Sequence, residues 1–100
     1  MIHIISYSLI ISFSKIHPEA KSPIDTWYQL VRKNNFSNFI ELKALFLSVD
    51  VVKNKNGDSL IVFNIHENNV RLIAAIHYNC NKLYIRHILI HAEYDKGKWK

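Results

Sequence analysis

The stretch VRLIAAIHYNCNKLYIRHILI, residues 70–90, decides the fold. It contains two apolar runs, residues 70–78 and 83–90, separated by a polar turn, which is the pattern of two paired β-strands. Side chains alternate between the faces of a strand, so the uniformly apolar face of the first run is expected to lie against helices. Arg71 then lies on the opposite, uncovered face. Alternation divides the second run into two sets, Leu83, Ile85, His87 and Leu89 against Tyr84, Arg86, Ile88 and Ile90.

The first half of the chain predicts three helices. Apolar residues spaced three and four apart predict a helix that ends before His17-Pro18. A second helix is expected to begin at Ser22-Pro23, because Ser22 can cap the first turn and proline suits the first helical position. A third, shorter helix begins at Asn38 by the same logic.

The second half predicts an antiparallel meander. Residues 49–52 and 60–65 read as two strands joined by a tight turn, and residues 56–57 (Asn-Gly) favour a type I′ turn with positive φ at both positions. A short strand around residues 2–4 is expected to join the sheet. The fold class is therefore α+β, with two to three N-terminal helices packed on a mainly antiparallel four- to five-stranded sheet.

The composition is that of a small basic protein with one core. One hundred residues predict a single domain, residues 1–100, and the 49% apolar fraction is enough to fill its core. The single cysteine, Cys80, excludes an internal disulfide framework and fits a reducing compartment. A net charge of +5 and a pI of 9.4 predict an anionic partner: nucleic acid, an anionic membrane or an acidic protein.

The Ile-rich N-terminus raises the question of targeting. Its apolar run, residues 4–13, is far shorter than the ~20 residues of a membrane-spanning helix. No Lys or Arg precedes the run, and no small-residue cleavage site follows it, as a signal peptide would require. We therefore expect a cytoplasmic protein with no membrane partner, with a secreted form as the less favoured alternative.

Six histidines raise the question of a metal site. His87 and His91 would lie roughly 13 Å apart on one strand, too far to share a zinc ion. His66 and His77 can meet across the sheet, but no third ligand is evident. The sequence also has no glycine-rich phosphate loop and no Cys-x-x-Cys motif. We therefore expect neither a metal nor another cofactor.

The densest group of reactive side chains is HAEYD, residues 91–95, directly after the last strand. Strand ends are common positions for binding and catalysis. An equally weighted alternative is a C-terminal helical turn whose carboxylates pair with Lys96 or Arg86. For Arg71 the plain alternative is a surface ion pair, and for Arg86 it is a buried pair or a snorkelling side chain.

Seven short segments, in this order over about 80 residues, carry a resemblance to a known family. They are HPEA at 17–20, WY at 27–28, IELKA at 40–44, VFNI at 62–65, NNVRLI at 68–73, YIR at 84–86 and HAEYDK at 91–96. Together they resemble the HigB-type toxins of bacterial toxin–antitoxin pairs, which belong to the RelE-like group of ribosome-dependent mRNA endonucleases.

The resemblance implies both a fold and an activity. The fold would be a RelE-like twisted sheet with helices on one side and a basic concave face on the other, in agreement with the placement of Arg71. The activity would be metal-independent cleavage of mRNA that inhibits translation. The implied partners are mRNA on the ribosome and a cognate helix-turn-helix, HigA-like antitoxin.

The hypothesis for catalysis is attack of the RNA's own 2′-OH on the adjacent phosphate, which needs a base, an acid and positive charge. His91 is the candidate acid or base, because a histidine side chain ordinarily titrates near ~6.5. Arg71 is the candidate phosphate clamp. Tyr94 is expected to stack on a base or donate to the phosphate, and Asp95 to orient His91 or act as a base. The candidate RNA-binding residues are Arg86, Lys43, Lys53 and Lys55.

Two rival functions stay open at this point. The gyrase-poisoning ParE toxins share the fold, so the fold alone does not establish RNase activity. A non-catalytic basic RNA-binding module is the second rival, and it would bind RNA with strong salt dependence but leave it intact. The residues at 91–95 favour chemistry over both.

Overall fold

The computed structural model describes residues 2–65 and 69–97, and within them the chain forms five strands and four helices. The strands are β1 (His3–Ile5), β2 (Asp50–Lys53), β3 (Ser59–Ile65), β4 (Val70–His77) and β5 (Lys82–Ile90). The helices are α1 (Tyr7–Ile16), α2 (Lys21–Lys33), α3 (Phe39–Leu45) and α4 (His91–Asp95). Short 3₁₀ turns occupy Pro18–Ala20 and Tyr78–Cys80.

The strands form one mixed sheet in the order β1-β5-β4-β3-β2. β2 to β5 pair antiparallel as a meander, and β1 lies parallel to β5 at one edge. The helices of the first half pack on this sheet through one core. The α+β class and the mainly antiparallel sheet are therefore confirmed, with the N-terminal strand as the fifth member.

The core lies between the helices and one face of β3 to β5. Ile24 and Val31 of α2 are fully buried there, and burial of such a side chain contributes about 1.5–3 kcal/mol. Phe63 of β3 is the aromatic centre, since its ring centroid lies 5.2 Å from that of Trp27 and 5.2 Å from that of Phe46. The same core receives the alternate residues of β4 that the sequence assigns to the helix side.

The helix boundaries follow the sequence signals with one exception. α1 ends at Ile16, before Pro18, as predicted. α2 begins at Lys21 and its N-cap residue is Ala20, so the prediction that Ser22 caps this helix is wrong. The 3₁₀ turn before α2 runs directly into the helix, so Ser22 lies inside the first helical turn and not at the N-cap position.

The start of α3 has the predicted cap. Asn38 precedes the helix, and its side-chain oxygen accepts a hydrogen bond from the N–H of Glu41 at 3.0 Å. Glu41 reaches back to accept from the N–H of Ser37 at 2.7 Å. The Glu41 N–H, which the helix leaves unpaired, and the N–H of Ser37 just before the cap are therefore both satisfied by neighbouring side chains.

A β-bulge interrupts β5 at Arg86. Ile73 pairs with His87, whereas the next residue of β4, Ala74, pairs with Ile85. Arg86 is thus an extra residue with no direct partner in the β4–β5 register. A bulge of this kind leaves one residue outside the regular pairing and bends the strand.

The bulge changes the faces predicted for β5. Before it, Leu83 and Ile85 are buried in the core under the helices, and beyond it Ile88 and Ile90 contact the same core. The extra residue shifts the alternation of side chains between the two faces of β5 by one position. The division of β5 into two continuous sets is therefore wrong, and His87 lies on the face opposite Leu83 and Ile85.

The β2–β3 turn differs from the predicted type I′ turn. Of its residues only Gly57 has positive φ, 83°. The N–H of Asn54 donates to the carbonyl of Asp58 at 3.1 Å, and the side-chain oxygen of Asn54 accepts from the N–H groups of Asn56 and Asp58. The side chain of Asn54 thus organises a longer loop, and positive φ is needed at one residue instead of two.

Two further predictions concern regions outside regular structure. The predicted turn at 66–69 lies mostly outside the described residues. Within the described residues, no helix is long and apolar enough to cross a membrane.

Candidate active site

Helix α4 begins directly after β5, and two hydrogen bonds fix this junction. The Ile90 N–H donates to Glu93 Oε1 at 3.3 Å. The His91 N–H donates to the carbonyl of Asn69 at 2.9 Å. Asn69 immediately precedes β4, so the second bond ties the start of α4 to the start of the strand that carries Arg71. The helix therefore starts beside the arginine on the open face of the sheet.

Three contacts join the four candidate catalytic residues into one cluster. An Nη2 atom of Arg71 lies 3.4 Å from His91 Nδ1. His91 Nε2 lies 3.2 Å from Asp95 Oδ2, one turn further along α4. The guanidinium carbon of Arg71 lies 5.4 Å from the centre of the Tyr94 ring. Arg71, His91, Tyr94 and Asp95, which are up to 24 positions apart in the sequence, thus form a contiguous group.

The helical-turn alternative is right about the local structure of residues 91–95 but not about its ion pairs. In the part of the chain that the structure describes, Asp95 pairs with His91, and Glu93 accepts from the backbone of Ile90. In this part of the chain, neither carboxylate forms the ion pair with Lys96 or Arg86 that the alternative expects.

The contacts of His91 favour one tautomer of its neutral ring. A guanidinium only donates hydrogen bonds, so Nδ1, which faces Arg71, carries the lone pair in this arrangement. The proton of a neutral ring then lies on Nε2, which faces the Asp95 carboxylate. A carboxylate at one ring nitrogen fixes both the tautomer and the ring orientation. The arrangement leaves Nδ1 as the nitrogen able to accept a proton on the side of Arg71.

Tyr94 attaches α4 to a second apolar cluster on the open face. Leu60, Val62 and Ile73 are buried there, at 4%, 2% and 0% exposure, and Leu89 and Tyr94 pack against them. The same ring lies under the guanidinium of Arg71 at a distance suited to a cation–π contact. One aromatic side chain therefore holds both the helix and the arginine in place.

The reactive edges of the cluster are open to solvent. The side chains of His91 and Asp95 are 56% and 59% exposed. Both side chains are therefore accessible from solvent. The exposed His91–Asp95 pair is screened by solvent, so its value lies in orientation more than in stability.

A short series of contacts connects Lys43 with the edge of the open face of the sheet. Its ammonium donates to the carbonyls of Leu47 and Val49, at 3.1 and 3.2 Å. The carbonyl of Ser48, between them, accepts from the side chain of Asn64 at 2.6 Å. Asn64 is the β3 residue directly opposite Arg71. Lys43 thus stabilises the loop next to the site, a role that its sequence context did not indicate.

Arg86 and His87 lie together at the bulge on the open face. Arg86 is exposed, so of the two plain alternatives for this residue the buried pair is wrong. Burial lowers the pKa of the half-buried His87, and the positive charge of Arg86 lowers it further. The position of His87 next to Arg86 has no signal in the sequence, because it depends on a bulge in the pairing between β5 and β4.

Lys53 and Lys55 lie away from the cluster. Lys53 pairs with Ser59 at the start of β3, whereas Asn64, opposite Arg71, is near the end of that strand. At about 3.4 Å per residue, the separation along β3 is about 17 Å. Lys55 lies in the loop beyond Lys53. The structure therefore brings Arg71, His91, Tyr94 and Asp95 together, with Lys43 and Arg86 at the margins, but not these two lysines.

The potential metal ligands do not form a centre in the described residues. Across 2–65 and 69–97, no three His, Cys, Asp or Glu side chains are grouped in a way that could hold a metal ion. Cys80 is exposed and forms no disulfide. His66, one of the histidines considered as a ligand, lies outside the described residues.

Comparison with known protein sequences identifies the family of this chain. The sequence model of the HigB toxins, described as the RelE-like toxic component of a toxin–antitoxin system, matches residues 20–97. The chain belongs to the HigB toxin family. The HigB match covers the elements from α2 to α4, including every residue of the cluster.

Individual HigB relatives match almost the whole chain. An mRNA interferase HigB of Escherichia coli is 30% identical over 94 residues, which cover 94% of this chain and 89% of the relative. An mRNA interferase HigB of Shigella flexneri is 30% identical over 93 residues, covering 93% and 88% respectively. The α+β fold with its mixed five-stranded sheet is the architecture expected of a RelE-like, HigB-type toxin.

Proposed function

We propose that this protein is the toxin of a toxin–antitoxin pair and a ribosome-dependent, metal-independent mRNA endoribonuclease that inhibits translation. The observation that carries the proposal is the line of contacts Arg71–His91–Asp95 on the open face of the sheet. Relatives named mRNA interferases match over nearly the full length of the chain. Action on ribosome-bound mRNA implies a cytoplasmic location.

The proposed reaction uses the substrate's own 2′-OH as nucleophile. A phosphate bound to the Arg71 guanidinium would lie next to His91 Nδ1, since the two groups are 3.4 Å apart. When the Arg71 N–H groups turn to the phosphate oxygens, the lone pair of Nδ1 is released and accepts the 2′ proton as the oxygen attacks phosphorus. Asp95 stabilises the imidazolium that results, through the proton on Nε2. Asp95 is therefore assigned as the orienting group and His91 as the base.

Arg71 supplies the positive charge that the pentavalent phosphate requires. A guanidinium can bind two phosphate oxygens at once, and its charge is permanent. The ring of Tyr94 packs against the guanidinium. Its hydroxyl is the remaining proton donor of the cluster, so we assign Tyr94 as the acid that protonates the leaving 5′ oxygen. With charge, base and acid all provided by side chains, the reaction needs no metal and no cofactor.

The proposed partners follow from the same surface. The basic chain, with its net charge of +5, fits mRNA when the toxin is free and a HigA-like, helix-turn-helix antitoxin when it is held inactive. Lys43 and Arg86 are proposed to contact the RNA next to the cluster. Lys53 and Lys55 are proposed to act at the other end of the sheet and outside the open face, because Lys53 is opposite Ser59 and therefore shares the face of Ile61, a residue of the helix-side core.

The test is induced expression of the wild type, His91→Ala and Arg71→Ala, with growth and reporter mRNA cleavage as readouts. Loss of either group is expected to lower cleavage by ~10²–10⁴-fold and to relieve growth arrest, while the variants retain the wild-type melting temperature. Arg32→Gln, an exposed change on the helix side, is the control. Wild-type cleavage by both alanine variants would refute the assignment, and DNA breaks without mRNA cleavage would favour a gyrase-directed toxin.

Metal independence is tested separately with the purified protein on translating ribosomes. The proposal expects the same cleavage rate with and without EDTA, provided that ribosome integrity is maintained by matched magnesium. Loss of cleavage on chelation of transition metals, restored by added zinc or manganese, would contradict it.

A further inference from the structure

Beyond the catalytic cluster, the open face carries a row of aromatic and cationic side chains along β5 and the end of β4. Residues directly opposite each other in a sheet point to the same face. Tyr84 is opposite Ala75, and Lys82 is opposite His77. His77 and Ala75 alternate in phase with Ile73, which is buried on the open side of the sheet. His77, Lys82, Tyr84, Arg86 and His87 therefore share the open face.

Contacts within this row agree with the register. The rings of His77 and Tyr84 meet edge-to-face, with centroids 5.1 Å apart and an interplanar angle of 78°. The charge of Arg86 acts on the ring of His87. His77 and Arg86 are exposed, and Tyr84 is half-buried. The row is thus a surface in which flat rings alternate with positive charges.

The row begins beside the catalytic cluster and leads away from it. Leu89 is opposite Arg71, and His87 is two positions further along β5. From Leu89 to Lys82 the strand covers seven residues, or about 23 Å at 3.3 Å per residue. That length accommodates several stacked nucleotides at about 3.4 Å each.

The helices leave this part of the sheet open. Helices α1 to α3 supply the core on the other face, and α4 contacts the cluster of Leu60, Val62 and Ile73 through Tyr94. The bulge is what turns Arg86 and His87 onto the open face together. In a regular strand, one of these two side chains would point into the core. The bulge therefore places the ring of His87 and the charge of Arg86 side by side on the open face.

We infer that the row formed by His87, Arg86, Tyr84, Lys82 and His77 is a binding track for the single-stranded RNA on one side of the scissile phosphate. Rings alternating with cations suit single-stranded RNA, whose bases stack on aromatic side chains while its phosphates meet Arg and Lys. The positive charges favour this polyanion over an apolar partner. The inference rests on the proposed function for the position of the scissile phosphate, and it adds the residues that hold the flanking nucleotides.

The test measures binding of fluorescent RNA oligonucleotides to the full-length protein. Each probe carries a 2′-deoxy sugar at the scissile position, so that it cannot be cleaved, and is extended by zero to four nucleotides on the 5′ or the 3′ side. In the wild type, extension on one side is expected to raise the affinity by roughly 5-fold or more, as stacking on an aromatic side chain does. Extension on the other side is expected to have a smaller effect.

Variants with matched controls test whether the gain in affinity on extension comes from the row. Arg86→Gln and Tyr84→Leu are expected to remove most of the benefit of extension. Tyr84→Phe, which keeps the ring, and Arg32→Gln, which removes an equal charge on the helix side, are expected to retain it. Melting temperatures identify any variant that loses binding because it unfolds. Arg86→Gln is the variant least affected by unfolding, because Arg86 is exposed.

The outcomes separate this inference from the proposed function. A protein that cleaves mRNA but shows no side-specific benefit of extension, or the same benefit in Arg86→Gln, would overturn the track alone. A protein with the benefit but no cleavage would retain the track and lose the proposed reaction. If Arg86→Gln and Tyr84→Leu instead weaken only the complex with the antitoxin, the row is a protein interface and the inference is wrong.

Discussion

At the scale of single residues, the contact between Asp95 and His91 separates two assignments of the general base. In the proposed mechanism, Asp95 orients the ring and His91 accepts the proton. If Asp95 accepted the proton directly, the ring would be the supporting group. The two assignments predict a different order of severity among variants.

We expect Asp95→Asn to lower reporter mRNA cleavage by roughly 10-fold or more, but less than His91→Ala does. The amide can still accept the Nε2 proton but provides no negative charge for the imidazolium. Asp95→Glu is expected to recover part of the rate, because α4 keeps the carboxylate one turn from His91. A cleavage rate in Asp95→Asn as low as that of His91→Ala would assign the base to Asp95 instead.

A second residue-scale prediction concerns His87 and the pH dependence of stability. Burial lowers the pKa of His87, and Arg86 adds to the effect, so the folded state favours the neutral ring. This stability is present above the unfolded-state pKa of about 6.5 and is lost as the pH falls from there through the folded-state value. We expect the fall in melting temperature between pH 7.5 and pH 5 to be smaller in His87→Gln than in the wild type. Equal falls would show that His87 does not contribute.

At the scale of elements, two features of β5 illustrate what the sequence can and cannot predict. The uniformly apolar face of β4 is visible in the sequence, so the location of Arg71 on the open face could be predicted and is confirmed. The bulge at Arg86 could not, because it is a property of the pairing between two strands. A one-residue change of register reverses the faces beyond it, and this accounts for the wrong placement of His87.

The helix starts show the same contrast. Asn38 caps α3 because a side-chain oxygen three residues before Glu41 is a local arrangement that the sequence contains in full. Ser22 does not cap α2, because the preceding 3₁₀ turn extends the helix backwards. That turn begins at Pro18, and its continuity with α2 is set by how the chain packs.

The cap of α3 gives an element-scale prediction for stability. Asn38→Ala is expected to lower the free energy of unfolding by about 1 kcal/mol, because the Glu41 N–H loses its acceptor. Chemical denaturation at fixed pH measures the change. Asn35→Ala, an exposed asparagine outside the helix, is the matched control and is expected to change stability by less than about 0.5 kcal/mol. Equal effects of the two substitutions would argue against the cap.

At the scale of the whole molecule, the site depends on long-range placement. In the sequence, residues 91–95 form a dense group of reactive side chains, and Arg71 is a separate cationic residue within an apolar strand. Only the resemblance to HigB-type toxins indicated a joint role for them. Their contact arises because β4 and β5 are neighbours and the start of α4 is bonded to the residue before β4. The contribution of Lys43 to the loop before β2 has no sequence signal at all.

The most direct measurement of the central claim is the chemistry of the RNA ends. Attack by the 2′-OH leaves a 2′,3′-cyclic phosphate on one fragment and a 5′-hydroxyl on the other. Both ends of a reporter mRNA are to be mapped and chemically typed after expression of the wild type and of His91→Ala, with and without translation. The proposed mechanism predicts cyclic phosphate and 5′-hydroxyl ends with the wild type during translation, and none with His91→Ala. Fragments with 5′-phosphate ends, or the same fragments with His91→Ala, would contradict it.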